Sequence, residues 1–338
     1  MGRGRHSMAL TATAALAATL LLPVAANAEP AAEREDARAT AGNPLELTDG
    51  FYVNPDSTPA AWVRANPGDS RAQEIDEAIA QQPTARWFTD TSGDVVEGVT
   101  GYTTAAQEAG ELPVLVAYNI PGRDCGGHSD GGAGSPEAYR QWITDFATSI
   151  GDRPAIVILE PDALAQLDCM PSDDERRVRT ELIRHATEQL SEHAVNTWTY
   201  LDSGTARWVP AEEMAERLDN AGQRNAHGFV NNVSNYYTTE ESAGYSRTVA
   251  AHIEASHGYR PSFAVDTSRN GHGSIGEWCN PDGRKLGTPP QVGGEAELLL
   301  WVKVPGNSDG ECGIAPDTPA GVFSPEVAKA LIDGAWIG

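Results

Sequence analysis

Basic residues are scarce in this chain. Lys and Arg total 24 against 48 Asp and Glu, a net charge of −24 at pH 7. A surface this acidic repels phosphate backbones and anionic lipid, which argues against nucleic-acid or membrane partners and leaves neutral ligands such as sugars open. Cysteine is sparse too. Cys125, Cys169, Cys279 and Cys312 form no C-x-x-C unit, and the eight histidines form no H-E-x-x-H cluster, so no metal and no other cofactor is expected. Charged residues make up only 21% and apolar ones 40%, which excludes wholesale disorder. Beyond the N-terminal segment no apolar run is long enough to span a bilayer. Nothing in the pattern calls for a second copy, and a monomer is expected.

What the chain does have begins with a leader. Arg3 and Arg5 supply a positive start, Met8 to Ala18 is small and apolar, Leu20, Leu21 and Leu22 follow, and Ala26-Asn27-Ala28 is an A-x-A cleavage site. The apolar run is short for a membrane anchor and ends at Pro23. Residues 1–28 therefore read as a bacterial-type secretion signal, and the mature protein is expected outside the cell. In an exported protein four cysteines imply two disulfides, with three pairings open.

Residues 29–43 are rich in Ala, Glu and Arg without apolar period and read as a flexible lead-in. Residues 44–338 show no linker and no second compositional zone, so they read as one domain. Short β-branched or apolar runs recur there: 50–53, 85–88, 113–118, 155–159, 197–201, 228–231, 262–265 and 298–304. Helical patterns lie between them. Ser135-Pro136 starts one with Tyr139, Trp142, Ile143 and Phe146 on its inner face. Ser172 to Glu175 is a capping-box pattern ahead of Val178, Leu182, Ala186 and Leu190. Pro210 opens a third with Met214 and Leu218, and Gly222 closes it. Strand–helix alternation over about 290 residues predicts an α/β fold, either a (β/α) barrel or a doubly wound sheet.

In both architectures ligands gather at the C-terminal ends of the strands. Five such ends deliver an aspartate: Asp124, Asp162, Asp202, Asp266 and Asp309. Carboxylates around one cleft push one another's pKa apart, so that one stays protonated as an acid while another stays ionised. Glycoside hydrolysis needs that division. Trp87, Trp208 and Trp278 lie near these ends, where an indole face can stack on a sugar ring, while Trp142, Trp198 and Trp301 fall within elements and are assigned to the core. Gly271-His-Gly273-Ser-Ile-Gly276 matches a dinucleotide-binding pattern, but Glu277 to Gly283 beyond it is turn chemistry rather than a helix. Asn232-Val233-Ser234 is a glycosylation sequon by pattern only.

Three longer motifs carry a resemblance. Val116-Ala-Tyr118-Asn-Ile-Pro121-Gly-Arg123-Asp124-Cys125-Gly126 and Ile156-Val-Ile-Leu-Glu160-Pro161-Asp162-Ala-Leu-Ala165 resemble two signatures of glycoside hydrolase family 6, the inverting cellulases. Trp301-Val-Lys303-Val-Pro-Gly-Asn307-Ser-Asp309-Gly310 resembles a third block, and Asp266 to Gly271 and Glu277-Trp278-Cys279 fit as well. The likeness runs from about Phe51 to the C-terminus.

The resemblance implies a distorted (β/α) barrel of about seven parallel strands, one fewer than the eight runs above. It implies a secreted, metal-independent endo-β-1,4-glucanase acting on cellulose or related glucan with inversion. An exo-acting cellobiohydrolase or a non-hydrolytic glycan binder are the alternatives. Long loops roof the cleft in exo-acting relatives, so the short loops here imply an open cleft. By motif position Asp162 would be the proton donor, Asp124 would raise its pKa, Asp309 would be the base, and Tyr118 would crowd the sugar at the cleavage point. Trp87, Thr89, Asp202, Thr205, Trp208, Asn235, Trp278, Lys303 and Asn307 would contact substrate. The implied disulfides are Cys125–Cys169 and Cys279–Cys312. Three residues depart from the pattern: Thr205 where His is usual, Asn307 where Glu is usual, and Asp130 in the loop after Cys125, where small residues are common. Without a Glu at 307, Lys303 lacks its nearest expected counter-charge unless Asp309 or Asp130 supplies it.

Overall fold

A computed structural model of the chain describes residues 42–336 together with residues 1, 2 and 4. The expected leader and most of the expected lead-in fall outside the described residues. The chain divides into two units, Met1–Thr40 and Ala41–Gly338, and the fold below is that of the second.

It opens with helices α1 (Thr58–Ala65) and α2 (Ala72–Ile75) and a π turn. Strands and helices then alternate: β1 (Arg86–Phe88), α3 (Val95–Ala109), β2 (Val114–Ala117), α4 (Pro136–Ile150), β3 (Ala155–Leu159), α5 (Asp173–His193), β4 (Thr197–Asp202), α6 (Ala211–Asn220), β5 (Gly228–Asn231), α7 (Thr239–His257), β6 (Ser262–Asp266), β7 (Gln291–Val292), β8 (Leu298–Leu300) and α8 (Pro325–Asp333). The sheet order is β1-β2-β3-β4-β5-β6-β8-β7. Seven strands run parallel, and β7 pairs antiparallel on the outer edge of β8. The sheet curls until its ends meet: Ala85 N donates to Trp301 O at 3.0 Å, and Trp87 Nε1 to Val302 O at 2.8 Å. This is a distorted barrel with β1 lying between β2 and β8.

The run at 50–53 is not a strand. Only Phe51 bridges to Leu112, because two backbone bonds are all that segment makes to the stretch before β2. The strand expected over 298–304 stops at Leu300, where the chain leaves the ladder to form the cleft.

Side chains alternate across each strand and build two cores. Val114, Val116, Ile156, Ile158, Tyr200, Val230, Leu298 and Leu300 fill the barrel. Leu115, Ala117, Val157, Leu159, Leu201 and Phe229 face outward against Tyr139, Ile143, Phe146, Leu182, Leu190, Met214, Leu218, Val249 and Ile253 of the helices. Strands covered on both faces cannot show polar alternation, which is why they read as unbroken apolar runs. Helix starts follow local chemistry. Asp94, Ser135, Thr238 and Ser324 each accept a hydrogen bond from the backbone N–H three residues on. Ser172 caps α5 in the same way, but Glu175 accepts from its hydroxyl rather than from its N–H, so the reciprocal box expected there is found instead at Thr238 and Glu241. Pro210 precedes α6, and Gly222 takes a left-handed conformation just past its end.

Candidate active site

A cleft of about 1390 Å³ opens at the C-terminal ends of the strands. It takes in Trp87, Thr89, Tyr118, Asp124, Asp162, Thr205, Trp208, Asn235, Trp278, Lys303, Asn307 and Asp309. Asp202, expected among the sugar contacts, does not line it. That carboxylate is buried beneath the floor and is spent on backbone N–H groups.

Of the five strand-end aspartates, three reach the cleft and two act as brackets below it. Asp202 Oδ1 accepts from Asp162 N and Gly204 N, each at 2.9 Å, which ties the loop after β3 to the loop after β4. Its Oδ2 is buried with no hydrogen-bond partner among the described residues, and burial pushes its pKa up to about 7. Asp266 accepts from Ser268 N at 2.9 Å, Ser234 N at 3.0 Å, Lys303 N at 3.0 Å and Val302 N at 3.3 Å, joining the ends of β5, β6 and β8. Glu160 does the same between β2 and β3, accepting from Asn119 N and Ile120 N at 3.0 Å, and burial raises it to about 7. Buried backbone donors at strand ends need acceptors, and carboxylates supply them without breaking the sheet.

Asp162 sits on the loop after β3 in a left-handed conformation, φ 68°. Burial first, then the charges of Asp202 and Asp124, hold its carboxyl well above the usual range, against a smaller opposing pull from Lys303. Asp309 is the opposite case. Burial alone would raise it, but Arg269 and Lys303 overcome that and bring it to about 2. Arg269 Nη1 lies 3.0 and 2.8 Å from its two oxygens, Lys303 Nζ lies 2.9 Å from Oδ1, and Tyr236 OH and Asn280 N donate to Oδ2 at 3.2 and 3.1 Å. One cleft thus holds a carboxyl whose surroundings favour the proton and a carboxylate whose surroundings favour the charge.

Asp124 follows β2 and also has φ above zero, at 57°. Ser129 N donates to its Oδ2 at 2.7 Å, and Gln166 Nε2 lies 3.4 Å from its Oδ1. Tyr118 is buried at the end of β2, edge-on to Trp87 with ring centroids 5.3 Å apart. Burial and the neighbouring charges of Asp162 and Asp124 raise its phenol far above the usual range, so it stays neutral.

With this geometry in view, the relatives of the chain are informative. The sequence profile described as Glycosyl hydrolases family 6 matches residues 47–335. This chain belongs to glycosyl hydrolase family 6. It is 50% identical over 322 residues to Endoglucanase 1 of Streptomyces halstedii, covering 94% of this chain and 97% of that protein. It is 42% identical over 300 residues to Endoglucanase A of Thermobispora bispora, covering 87% of this chain and 64% of that one. The solved structure of the endoglucanase Cel6 from Mycobacterium tuberculosis, in complex with methyl-cellobiosyl-4-deoxy-4-thio-β-D-cellobioside, superposes with a TM-score of 0.78 at 40% identity, covering 87% of this chain and 99% of that one.

Of the departures from the family 6 pattern, Asn307 has a side-chain partner in this structure, and the charge of Lys303 is met. Lys303 does not lack a counter-charge, because Asp309 supplies it. Asn307 Oδ1 accepts from Thr58 Oγ1 at 2.6 Å, which ties the cleft wall to α1. Thr205 is buried in the cleft floor beside Trp208, and Asp130 lies on the rim.

Both cysteine pairs are joined as the family 6 resemblance implies, Cys125–Cys169 and Cys279–Cys312. A nitrogen of His128 lies within 4.8 Å of the Cys279 and Cys312 sulfurs, but the disulfide leaves no thiolate to bind a metal. Asn232 is fully buried and donates to Tyr237 O and Asp266 O, so the sequon carries no accessible amide. Gly271 to Gly276 leads into turns and bends, not a helix.

Several residues of the cleft and its surroundings carry no sequence signal. Arg269 and Tyr236 give no sign in the sequence that they reach Asp309, although Arg269 lies inside the quoted Asp266–Gly271 motif. Gln166 and the wall formed by Asn54, Thr58 and Val322 have no sequence signal, because only the fold brings them to the cleft.

Proposed function

We propose that this chain is a secreted endoglucanase that hydrolyses β-1,4-glucosidic bonds within cellulose or a related β-glucan and inverts the anomeric centre. The observation that carries the reading is the pair of opposed carboxyl groups on one cleft, Asp162 in surroundings that raise its pKa and Asp309 in surroundings that lower it. In this reading Asp162 donates its proton to the leaving glycosidic oxygen as the C1–O bond breaks. Asp124 carries negative charge beside it, which favours the protonated acid and supports the oxocarbenium-like centre. Tyr118, neutral and buried, presses on the sugar at that point and favours a distorted ring. Water attacks C1 from the opposite face. Asp309, with four donors on its two oxygens, is a weak base, so the water surrenders its proton late, once its bond to C1 has made it acidic.

Trp87, Trp208 and Trp278 give sugar rings apolar faces to stack on, and Thr89, Asn235, Lys303 and Asn307 offer polar contacts along the cleft. The relatives named endoglucanases support internal cleavage. Export is supported by the leader pattern of residues 1–28 and by two disulfides, which persist in oxidising compartments. Among the described residues no helix is long and apolar enough to cross a membrane. The protein is proposed to act as a monomer.

The test is hydrolysis of carboxymethylcellulose, followed by viscosity and reducing ends together, with the anomer of the first product read by proton NMR. The reading expects steep loss of viscosity per bond cut and an α-anomer. Slow viscosity loss favours the exo-acting alternative, and an initial β-product refutes inversion.

A further inference from the structure

We propose that Arg179 is a positioning residue: together with Glu160 it holds the turn at residues 119–122 and so sets where Asp124 stands beside Asp162. The proposal rests on the endoglucanase reading above, in which Asp124 favours the proton on the acid.

Arg179 belongs to α5 and is only 3% exposed. Its Nη2 donates to Pro121 O at 3.0 Å and to Gly122 O at 2.7 Å. Its Nη1 is buried with no hydrogen-bond partner among the described residues. Burial works against its charge, and Glu160 is the foremost of the charges that support it. A guanidinium in such a place is costly, and an apolar side chain would fill the space without that cost. What the guanidinium adds is its grip on two carbonyls.

Those carbonyls complete the turn. Glu160 accepts from Asn119 N and Ile120 N at 3.0 Å. Asn119 O accepts from Ala133 N at 2.8 Å, and Ile120 O from Arg123 N at 3.1 Å. Pro121 O and Gly122 O are left for Arg179, so each carbonyl of the turn has its donor. The chain then runs directly into Arg123 and Asp124. Glu160 stands two residues before Asp162, and its own N–H donates to Ala117 O at 2.9 Å. The turn ahead of Asp124 is therefore fastened to the loop that carries the acid.

Asp162 faces Asp202 from the end of β4, Asp124 from the loop after β2, and Lys303 and Asp309 from beyond β8, with Tyr118 at the end of β2. Asp202 is fixed by Asp162 N and Gly204 N, and Asp309 by Arg269 and Lys303. Asp124 is the charge whose place depends on the turn. Charge effects weaken with distance, so a slack turn lets Asp162 lose its proton at lower pH and moves Asp124 away from the sugar. Both effects act on the chemical step, while the sugar contacts along the rest of the cleft stay as they are.

The experiment records kcat and KM of the full chain on cellopentaose across pH. Arg179→Met should lower kcat by about 10–100-fold, the cost of a small misplacement of a reacting group. KM should stay within about twofold. The basic limb of the kcat profile should move to lower pH by about half a unit, because Asp162 loses part of what raises it. Arg179→Lys keeps a charged donor and should lose no more than about threefold. Arg179 acts through Asp124, so adding Arg179→Met to Asp124→Asn should cost no more than about twofold beyond Asp124→Asn alone. Should Arg179→Met fail to fold, Glu160→Gln removes the charge that supports Arg179 and should move the limb in the same direction. An unmoved limb in the variant that folds, or a full further loss in the double variant, overturns the proposal. If Asp124→Asn itself keeps the kcat and the limb of the unmodified protein, the reading of Asp124 fails first and the proposal with it.

Discussion

Asp202 accepts the backbone N–H of Asp162 through Oδ1 at 2.9 Å, while its own Oδ2 is buried with no hydrogen-bond partner among the described residues. The buried aspartate therefore holds Asp162 by its main chain and raises its pKa by charge. Its own pKa, near 7, comes with a cost that stability should report. Asp202 and Glu160 are both raised to about 7, against about 4 in an unfolded chain. Between those values the folded state binds more protons than the unfolded one, so stability falls as pH rises from about 4 to 7 and levels off above.

The first prediction is a thermal midpoint that is higher at pH 5 than at pH 8. Asp309, held near 2, works the other way. Its contribution is present above about pH 4 and is lost as pH falls toward 2, so the midpoint should drop again in strong acid. Asp202→Asn removes one of the raised groups and should flatten the decline between pH 5 and 8. A midpoint that climbs steadily from pH 5 to 8 would contradict the assignment of these buried carboxyls.

Asn307→Glu is the second. Family pattern alone favours a gain, since a charged acceptor bonds sugar hydroxyls more strongly than an amide. The structure removes the partner that would offset the new charge, because Lys303 is already engaged by Asp309. The added carboxylate would stand in a cleft with Asp124, Asp130 and Asp309. kcat/KM on cellopentaose should fall about fivefold, near 1 kcal/mol. A rise would show that the sugar contact outweighs the charge.

The third concerns the disulfides, which close loops with sequence separations of 44 and 33 residues. A chain-entropy estimate gives each about 3–4 kcal/mol. Replacing Cys125 and Cys169 by Ala should lower the thermal midpoint and, because Asp124 adjoins Cys125, lower kcat as well. Replacing Cys279 and Cys312 should do the same through Asp309, whose partner Asn280 adjoins Cys279. A variant with an unchanged midpoint would show that the fold alone holds that loop.

Much of this was legible in the sequence, for physical reasons. Parallel strands covered on both faces give unbroken apolar runs, so Ala155–Leu159 stands out at once. β7 does not, because Gln291 and Val292 are exposed on an edge and carry no core signal. Gly50–Val53 looked like a strand because its residues suit one, but composition cannot tell a ladder from a single bridge. The same limit applies at the site. Asp162 and Asp202 both end strands, and nothing local says which faces the cleft and which faces backbone donors. Side-chain direction and buried N–H groups decide that, and both belong to the folded chain. Long motifs pointed to Asp124, Asp162 and Asp309, and all three line the cleft. Thr58 lies 249 residues from the Asn307 it bonds, beyond the reach of any motif.

The proposed mechanism depends on Asp162 as proton donor, and one comparison tests that role most directly. Asp162→Asn is assayed on amorphous cellulose and on a cellobioside whose leaving group needs no protonation. The account predicts a loss of about 10²–10⁴-fold on cellulose and a much smaller loss on the activated substrate. Near-normal cleavage of cellulose by Asp162→Asn, or equal losses on the two substrates, would contradict it.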